Sequence, residues 1–276
     1  MSELRCDICF HHCLLQEGEV GFCRVRANKY GTNTLCNYGI ITSMALDPIE
    51  KKPLFQFHPH SKILSLGSFG CNLNCPFCQN SALSWPSINS LEYDYYSPED
   101  IVKAAKKLIR YGNIGVAFTY NEPVISWEYI KDVAKLIHKA EMFNVVVTNG
   151  TLSLKVLEEF LPYIDAFNID LKGFSKESYK RLSGDFNSVK KFIKRCYKSS
   201  HIEITTLISP HVENWEKEVL EESLFLASID KTIPLHLTRF FPSRNMMEES
   251  PTSLELLKDL QSIAKENLDN VYLGNV

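Results

Sequence analysis

From about residue 61 to the end of the chain, short apolar runs rich in β-branched residues alternate with segments of helical period. Residues 63–69, 115–119, 144–148, 165–171, 202–208 and 234–238 read as strands. Between and after them, residues 98–110, 123–140, 152–161, 187–199, 215–229 and 252–268 repeat apolar positions at the three-to-four spacing of an amphipathic helix. Ser97-Pro98-Glu99-Asp100 opens the first of these as an N-cap with proline in the first turn. Near-continuous apolar strands fit burial on both faces, and strand–helix alternation sets the strands parallel with helices outside. Right-handed crossovers then curl the sheet. Six such units predict an α/β fold, a partial (β/α)6 TIM-like barrel. Residues 1–60 break the rhythm and hold five of the nine cysteines. The expected organisation is a small Cys-rich N-terminal segment over 1–60 and the barrel over 61–276.

With 276 residues, 45% of them hydrophobic, the chain can bury one large core. A net charge of −3 gives no electrostatic reason for a nucleic-acid or anionic-membrane partner. No apolar stretch is long and charge-free enough to span a membrane. The start, Met1-Ser2-Glu3-Leu4-Arg5-Cys6, lacks the apolar core of a signal peptide. The expected location is the cytoplasm, where nine cysteines point to metal or catalysis rather than disulfides.

Cys71, Cys75 and Cys78 form a C-x3-C-x2-C triplet behind Gly70. A structural zinc wants four protein ligands, and Gln79 and Asn80 are poor ones. A [4Fe-4S] cluster normally takes four cysteines, so three leave one iron open to a substrate or cofactor. Free cysteine is also among the most buried residue types. A core, however, has no reason to gather three of them on one loop with Asn and Pro between. The triplet follows the first strand, and the carboxyl ends of parallel strands are where ligand sites form. The same reading collects Thr119-Tyr120-Asn121-Glu122-Pro123, Thr148-Asn149-Gly150, Asp170-Leu171-Lys172, Ser209-Pro210-His211 and, on the last strand, His236 with Thr238-Arg239-Phe240. Singly these are an ordinary turn, a helix start, a surface ion pair and a core histidine. Their shared rim with an open-iron triplet is what gives them chemistry.

The triplet resembles the signature of the radical S-adenosylmethionine (SAM) superfamily, C-x3-C-x-aromatic-C, with Phe77 as the aromatic. That resemblance implies a [4Fe-4S] cluster on Cys71, Cys75 and Cys78 with SAM at the open iron. It implies reductive cleavage of SAM to methionine and a 5′-deoxyadenosyl radical that takes hydrogen from a substrate, and a reductant such as flavodoxin or ferredoxin. It puts Phe77 near the adenine. Asn121-Glu122-Pro123 stands where the family has a Gly-Gly-Glu-Pro type segment meeting the methionyl amino group, with Tyr120 and Asn121 in place of the glycines. Thr148, Asn149, Asp170, Lys172 and His236 match segments of pyruvate formate-lyase activating enzyme and its relatives as cofactor-binding positions. More narrowly, Asp47-Pro48-Ile49-Glu50-Lys51-Lys52-Pro53-Leu54, Arg239-Phe240-Phe241-Pro242 and Val271-Tyr272-Leu273-Gly274-Asn275-Val276 resemble the AmmeMemoRadiSam system radical SAM enzymes.

Two substrates follow from the resemblance. One is activating-enzyme-like action on a protein; the other is a small molecule or peptide modified together with Memo-like partner proteins. RNA modification through Lys190-Lys191-Phe192-Ile193-Lys194-Arg195 is opposed by the net negative charge. An electron-transfer protein would have no use for an open iron. Cys6, Cys9, Cys13 and Cys23, spaced C-x2-C-x3-C-x9-C, are candidates for a second metal, either a tetrahedral zinc or another Fe–S cluster. Cys36 and Cys196 stand alone and read as structural.

Overall fold

A computed structural model describes residues 3–86 and 91–276. Met1 and Ser2 of the expected N-terminal segment and residues 87–90 of the expected barrel lie outside the described residues. Among the described residues the main sheet has eight strands: β1 Ser43–Pro48, β2 Lys62–Gly67, β3 Asn113–Phe118, β4 Phe143–Thr148, β5 Ala166–Leu171, β6 His201–Ile208, β7 Leu235–Arg239 and β8 Val271–Gly274. They lie side by side in chain order. Each neighbouring pair from β2 to β8 is parallel, and β1 runs antiparallel to β2. Among the described residues seven helices of six or more residues accompany them: α1 Pro98–Lys107, α2 Trp127–Lys139, α3 Leu154–Phe160, α4 Lys176–Arg181, α5 Phe186–Cys196, α6 Trp215–Ala227 and α7 Leu254–Lys265. This is the expected partial barrel, its six strand–helix units extended by a strand at each edge.

The added strands have a common physical reason for escaping the pattern. β1 and β8 are edge strands with mostly half-buried residues, so neither needs the unbroken apolar run of an inner strand. Through β1 the sheet reaches back across residue 60. The six-residue α4 is too short to display a period. The expected start of α1 at Ser97 is closed by a reciprocal capping box with Asp100, with Pro98 in the first turn.

The outer face of the sheet packs on the helices in one large core that includes Val116, Phe118, Phe167, Ile169 and Ile204. Inside the curl, Ile49 and Leu54 pack against Ile63, Ala117, Val145 and Ala166. The chain around Leu54 is tied across the amino-terminal halves of the strands. Pro53 O accepts from Asn168 Nδ2 at 2.9 Å, and the Phe55 and Gln56 N–H groups reach the Glu203 carboxylate at 3.0 and 2.8 Å. Burial alone would raise the Glu203 carboxyl, but hydrogen bonds from His201, His236 and these two N–H groups outweigh it and hold it at about 2. This segment is a floor, so the cavity lies above it, at the carboxyl ends.

The N-terminal lobe consists of two short hairpins, Leu4–Arg5 with Leu14–Leu15 and Arg26–Lys29 with Thr32–Leu35. Buried Arg26 fastens it to the start of α2, donating to Ile125 O at 2.7 Å and to Glu128 Oε1 at 2.6 Å. No helix among the described residues is long and apolar enough to cross a membrane.

Glu222 on α6 is fully buried against β6; Thr206 Oγ1 donates to its Oε1 at 2.6 Å, and its Oε2 has no partner. Burial pushes its carboxyl up from 4.5 to about 8, against the lowering effect of Thr206. The folded chain therefore holds a proton that the unfolded chain releases, and this contribution to stability is lost as pH rises from about 4.5 to about 8. Glu222→Gln should flatten that part of the stability–pH curve. At pH 8 its melting temperature should exceed wild type by about 2–4 °C per kcal/mol recovered, as read by calorimetry.

Candidate active site

After β2 the chain passes Gly70, whose φ is +91°. A Cβ there would also stand 2.6 Å from both Cys23 O and Val25 Cγ1, so only glycine lets the N-terminal lobe close on this loop. The cysteine loop that follows is held from outside at successive carbonyls. His11 Nε2 lies 2.9 Å from Asn72 O, and Trp85 Nε1 donates to Leu73 O at 2.9 Å. Arg244 Nη1 donates to Cys75 O at 2.6 Å, Asn245 N to Pro76 O at 2.9 Å, and Ser243 Oγ to Phe77 O at 2.8 Å. With its backbone so engaged, the loop turns Cys71, Cys75 and Cys78 onto one cavity of about 270 Å³. Burial pushes the Cys71 thiol well up, assisted by the Glu122 charge, and raises Cys75 to about 12 although Lys172 works to lower it.

Three soft donors face one space that no fourth cysteine lines. That set fits three corners of a cubane better than the closed shell of a structural zinc. Among the described residues, no three His, Cys, Asp or Glu side chains are grouped to hold a single metal ion.

The rim is built from successive strand ends. Glu122 is buried, and its carboxylate accepts from Thr148 Oγ1 at 2.6 Å and Asn149 N at 2.8 Å. Burial raises it to about 7, while these hydrogen bonds work to lower it. Asp170 and Lys172 pair at 3.0 Å. Burial works to lower the Lys172 ammonium, but the Asp170 charge overcomes it and raises the group above its usual value. Phe77 lines the cavity and packs with Leu182 and Phe240. Asn121 lines it too, but its amide braces the approach to the cysteines: Nδ2 donates to Phe69 O and Gly70 O, each at 3.1 Å, and Oδ1 accepts from Ser68 N at 3.0 Å.

Tyr120 keeps a left-handed backbone, φ +73°, at a position where a glycine would sit without strain. Gly67 makes room for it: a Cβ there would lie 2.8 Å from Tyr120 Cδ2. The phenol donates to Asp47 Oδ2 at 2.8 Å, which also takes Lys52 Nζ at 2.8 Å, and Lys52 stands 4.7 Å from the Tyr120 ring centre. Burial would raise Asp47, but Lys52 and Tyr120 hold it well below the usual carboxylate range. The Asp47–Lys52 part of the sequence thus braces one wall of the cavity.

His236 is placed elsewhere. It is the second residue of β7, at the floor, 2.6 Å from Glu203 Oε2 and stacked on Tyr272. It does not line the cavity, because its strand position carries it to the amino-terminal side. His211, just past the carboxyl end of β6, lies closer to the site, with its ring 4.7 Å from that of Phe77. Burial lowers it to about 4, so it is a neutral ring bridging Ser209 Oγ and Lys172 O, each at 2.6 Å. Thr205, Leu207, Thr238 and Asn275 also line the cavity. Strand alternation was the available signal for Thr205 and Leu207, since residues two apart share a face.

In the N-terminal lobe Cys6, Cys9 and Cys23 are buried and Cys13 is half-buried. Burial raises the Cys9 thiol to about 12, with smaller contributions from the Cys23 and Cys6 charges, and Cys9 lines a pocket with Phe10 and His12. Cys196 is buried in the core and Cys36 is half-buried.

Residues 66–224 match the Radical SAM superfamily. Over 279 aligned residues the chain is 37% identical to uncharacterized protein MJ0808 of Methanocaldococcus jannaschii, covering all of this chain and 82% of that one. It is 31% identical over 75 residues to the 4-hydroxyphenylacetate decarboxylase activating enzyme of Clostridium scatologenes, 27% of this chain and 24% of that protein. In fold it is similar to Streptococcus suis SuiB bound to S-adenosylmethionine, with a TM-score of 0.59 at 16% identity over 77% of this chain and 52% of that one.

Replacing Cys71, Cys75 and Cys78 together by Ala isolates the N-terminal thiols. The expected second metal on Cys6, Cys9, Cys13 and Cys23 should then appear as stoichiometric zinc or iron in elemental analysis of the purified variant, and be lost when Cys9→Ala is added. Neither metal at stoichiometric level would leave the four as structural cysteines.

Proposed function

The chain belongs to the Radical SAM superfamily, and we propose that it cleaves SAM reductively at a [4Fe-4S] cluster held by Cys71, Cys75 and Cys78 so as to activate a protein substrate. The observation that carries the reading is the convergence of three loop thiols, and no fourth, on one cavity rimmed by Glu122 and the Asp170–Lys172 pair. When bound, the cluster supplies an open iron for the amino and carboxylate groups of SAM and the electron that breaks its sulfonium, giving methionine and a 5′-deoxyadenosyl radical.

The chain's own residues bind, orient and shield. Glu122, fixed by Thr148 and Asn149, offers the N–H groups of the SAM amino group a carboxylate acceptor whose geometry is set before the ligand arrives. Lys172 and Asp170 present both signs of charge to a zwitterion. Phe77 and Leu207 give the adenine an apolar slot, and the Pro53 floor keeps water from entering below. Beyond these charges the cavity is lined by Thr205, Thr238 and Asn275, neutral groups that suit a peptide main chain better than a phosphate. The partial likeness to an activating enzyme supports a protein substrate on the same terms. A reductant of flavodoxin or ferredoxin type completes the reaction.

Because Glu122 ionises near 7 and the N–H groups of an iron-bound amine donate more strongly to a carboxylate than to a carboxylic acid, SAM affinity should rise as pH passes upward through about 7. Glu122→Gln should weaken SAM about tenfold to a hundredfold, the worth of one charge-assisted hydrogen bond, and flatten that pH profile with iron content unchanged. Equilibrium dialysis reads both. For the reaction itself, dithionite-reduced enzyme should yield equal amounts of methionine and 5′-deoxyadenosine, and a glycyl-radical protein added to it should develop an EPR doublet. S-adenosylhomocysteine as the main product would point to methyl transfer instead. 5′-Deoxyadenosine released without any protein radical would remove the activating role and favour a small-molecule substrate.

A further inference from the structure

The cysteine loop and the chain following β4 share a closed ring of hydrogen bonds. Asn72 Nδ2 donates to Thr151 Oγ1 at 3.0 Å, Thr151 Oγ1 donates to Asn149 Oδ1 at 2.6 Å, and Asn149 Nδ2 donates to Asn72 Oδ1 at 2.9 Å. The Thr151 backbone N–H adds a second donor to Asn149 Oδ1 at 3.0 Å. All three side chains are buried, Asn72 and Thr151 completely and Asn149 to 4% exposure. A buried ring in which each member gives and takes fixes the direction of both amides.

Direction matters because Asn149 Nδ2 carries two hydrogens. One is spent on Asn72. The other faces Cys71 Sγ, 3.9 Å away. The main-chain N–H of Asn149 simultaneously holds Glu122 Oε2. Asn72 is itself gripped from the N-terminal lobe, by His11 at its carbonyl and by a hydrogen bond between its side chain and the Cys9 thiol. The Asn149 amide therefore has no spare hydrogen for a ligand.

We propose that the Asn72–Asn149–Thr151 ring is a positioning device that aims an amide hydrogen at the Cys71 sulfur and so raises the reduction potential of the centre that sulfur holds. The inference rests on the cluster reading above. Hydrogen bonds to the sulfurs are among the factors that set the potential of an Fe–S centre. An N–H aimed at a thiolate favours the reduced state, which carries one more negative charge, and the effect is strengthened where water is excluded. The N-terminal lobe, by holding Asn72, becomes part of the device that lets the centre accept an electron.

The test is an anaerobic EPR redox titration of reconstituted full-length protein without SAM, comparing wild type, Asn72→Ala and Thr151→Val at matched iron content. In Asn72→Ala the ratio of reduced to oxidised cluster at the wild-type midpoint should fall about tenfold, equivalent to about 59 mV for one electron. Thr151→Val should shift the midpoint in the same direction. Leu260→Ala, a cavity-forming change in α7 far along the chain, controls for destabilisation: it should lower the melting temperature and leave the midpoint in place. If Asn72→Ala does not fold, Thr151→Val decides. Midpoints that stay fixed or move upward in the ring variants overturn the proposal while leaving the cluster intact. A wild-type protein that never gives a [4Fe-4S] signal overturns the cluster reading beneath it.

Discussion

An eight-residue loop has to turn three sulfurs toward one space while its backbone groups find partners elsewhere. Buried carbonyls left without donors would cost more than the loop could recover by itself, so the surrounding chain supplies the donors. His11 comes from the N-terminal lobe, Trp85 from the segment just after the loop, and Ser243, Arg244 and Asn245 from beyond β7. Parts of the chain more than 200 residues apart therefore meet on the cysteine loop. Its shape depends on the whole fold being in place.

The second constraint is charge. The cavity combines Glu122 with an Asp170–Lys172 pair, and beside it lies the buried Asp47–Lys52 pair. A buried ion pair is a weak source of stability, because desolvation offsets much of the attraction. Its geometric consequence is easier to see. Asp47 anchors the Tyr120 phenol, and that phenol belongs to a residue held in a left-handed conformation directly before Asn121 and Glu122. The strain at Tyr120 is thus supported by a floor-to-rim strut at the point where the chain turns toward Glu122.

Much of this was legible in the sequence because inner parallel strands must be apolar throughout and their helices amphipathic; all six inner strands followed from that rule. β1 and β8 did not, since an edge strand half open to solvent carries no such run. The cysteine triplet was legible because no packing requirement produces it. Glu122, Thr148, Asn149, Asp170 and Lys172 could be placed because each lies at or just past the carboxyl end of a strand. His236 shows the limit of that argument: it sits at the other end of its strand, against Glu203, where counting from the strand start would have put it. The ring through Asn72 was invisible, since hydrogen bonding between residues 77 and 79 positions apart leaves no trace in local spacing. The strut from Asp47 to Tyr120 was not legible, since a contact between residues 73 positions apart leaves no local pattern.

The central claim is that the three loop thiols leave one iron free and that SAM occupies it. Electron–nuclear double resonance on the reduced protein, with SAM labelled by 15N at the amino group and 17O at the carboxylate, tests this directly. The account predicts hyperfine coupling of both labels to the cluster spin, retained in Glu122→Gln at SAM concentrations that restore saturation. Saturating labelled SAM that gives no coupling to the cluster would contradict it.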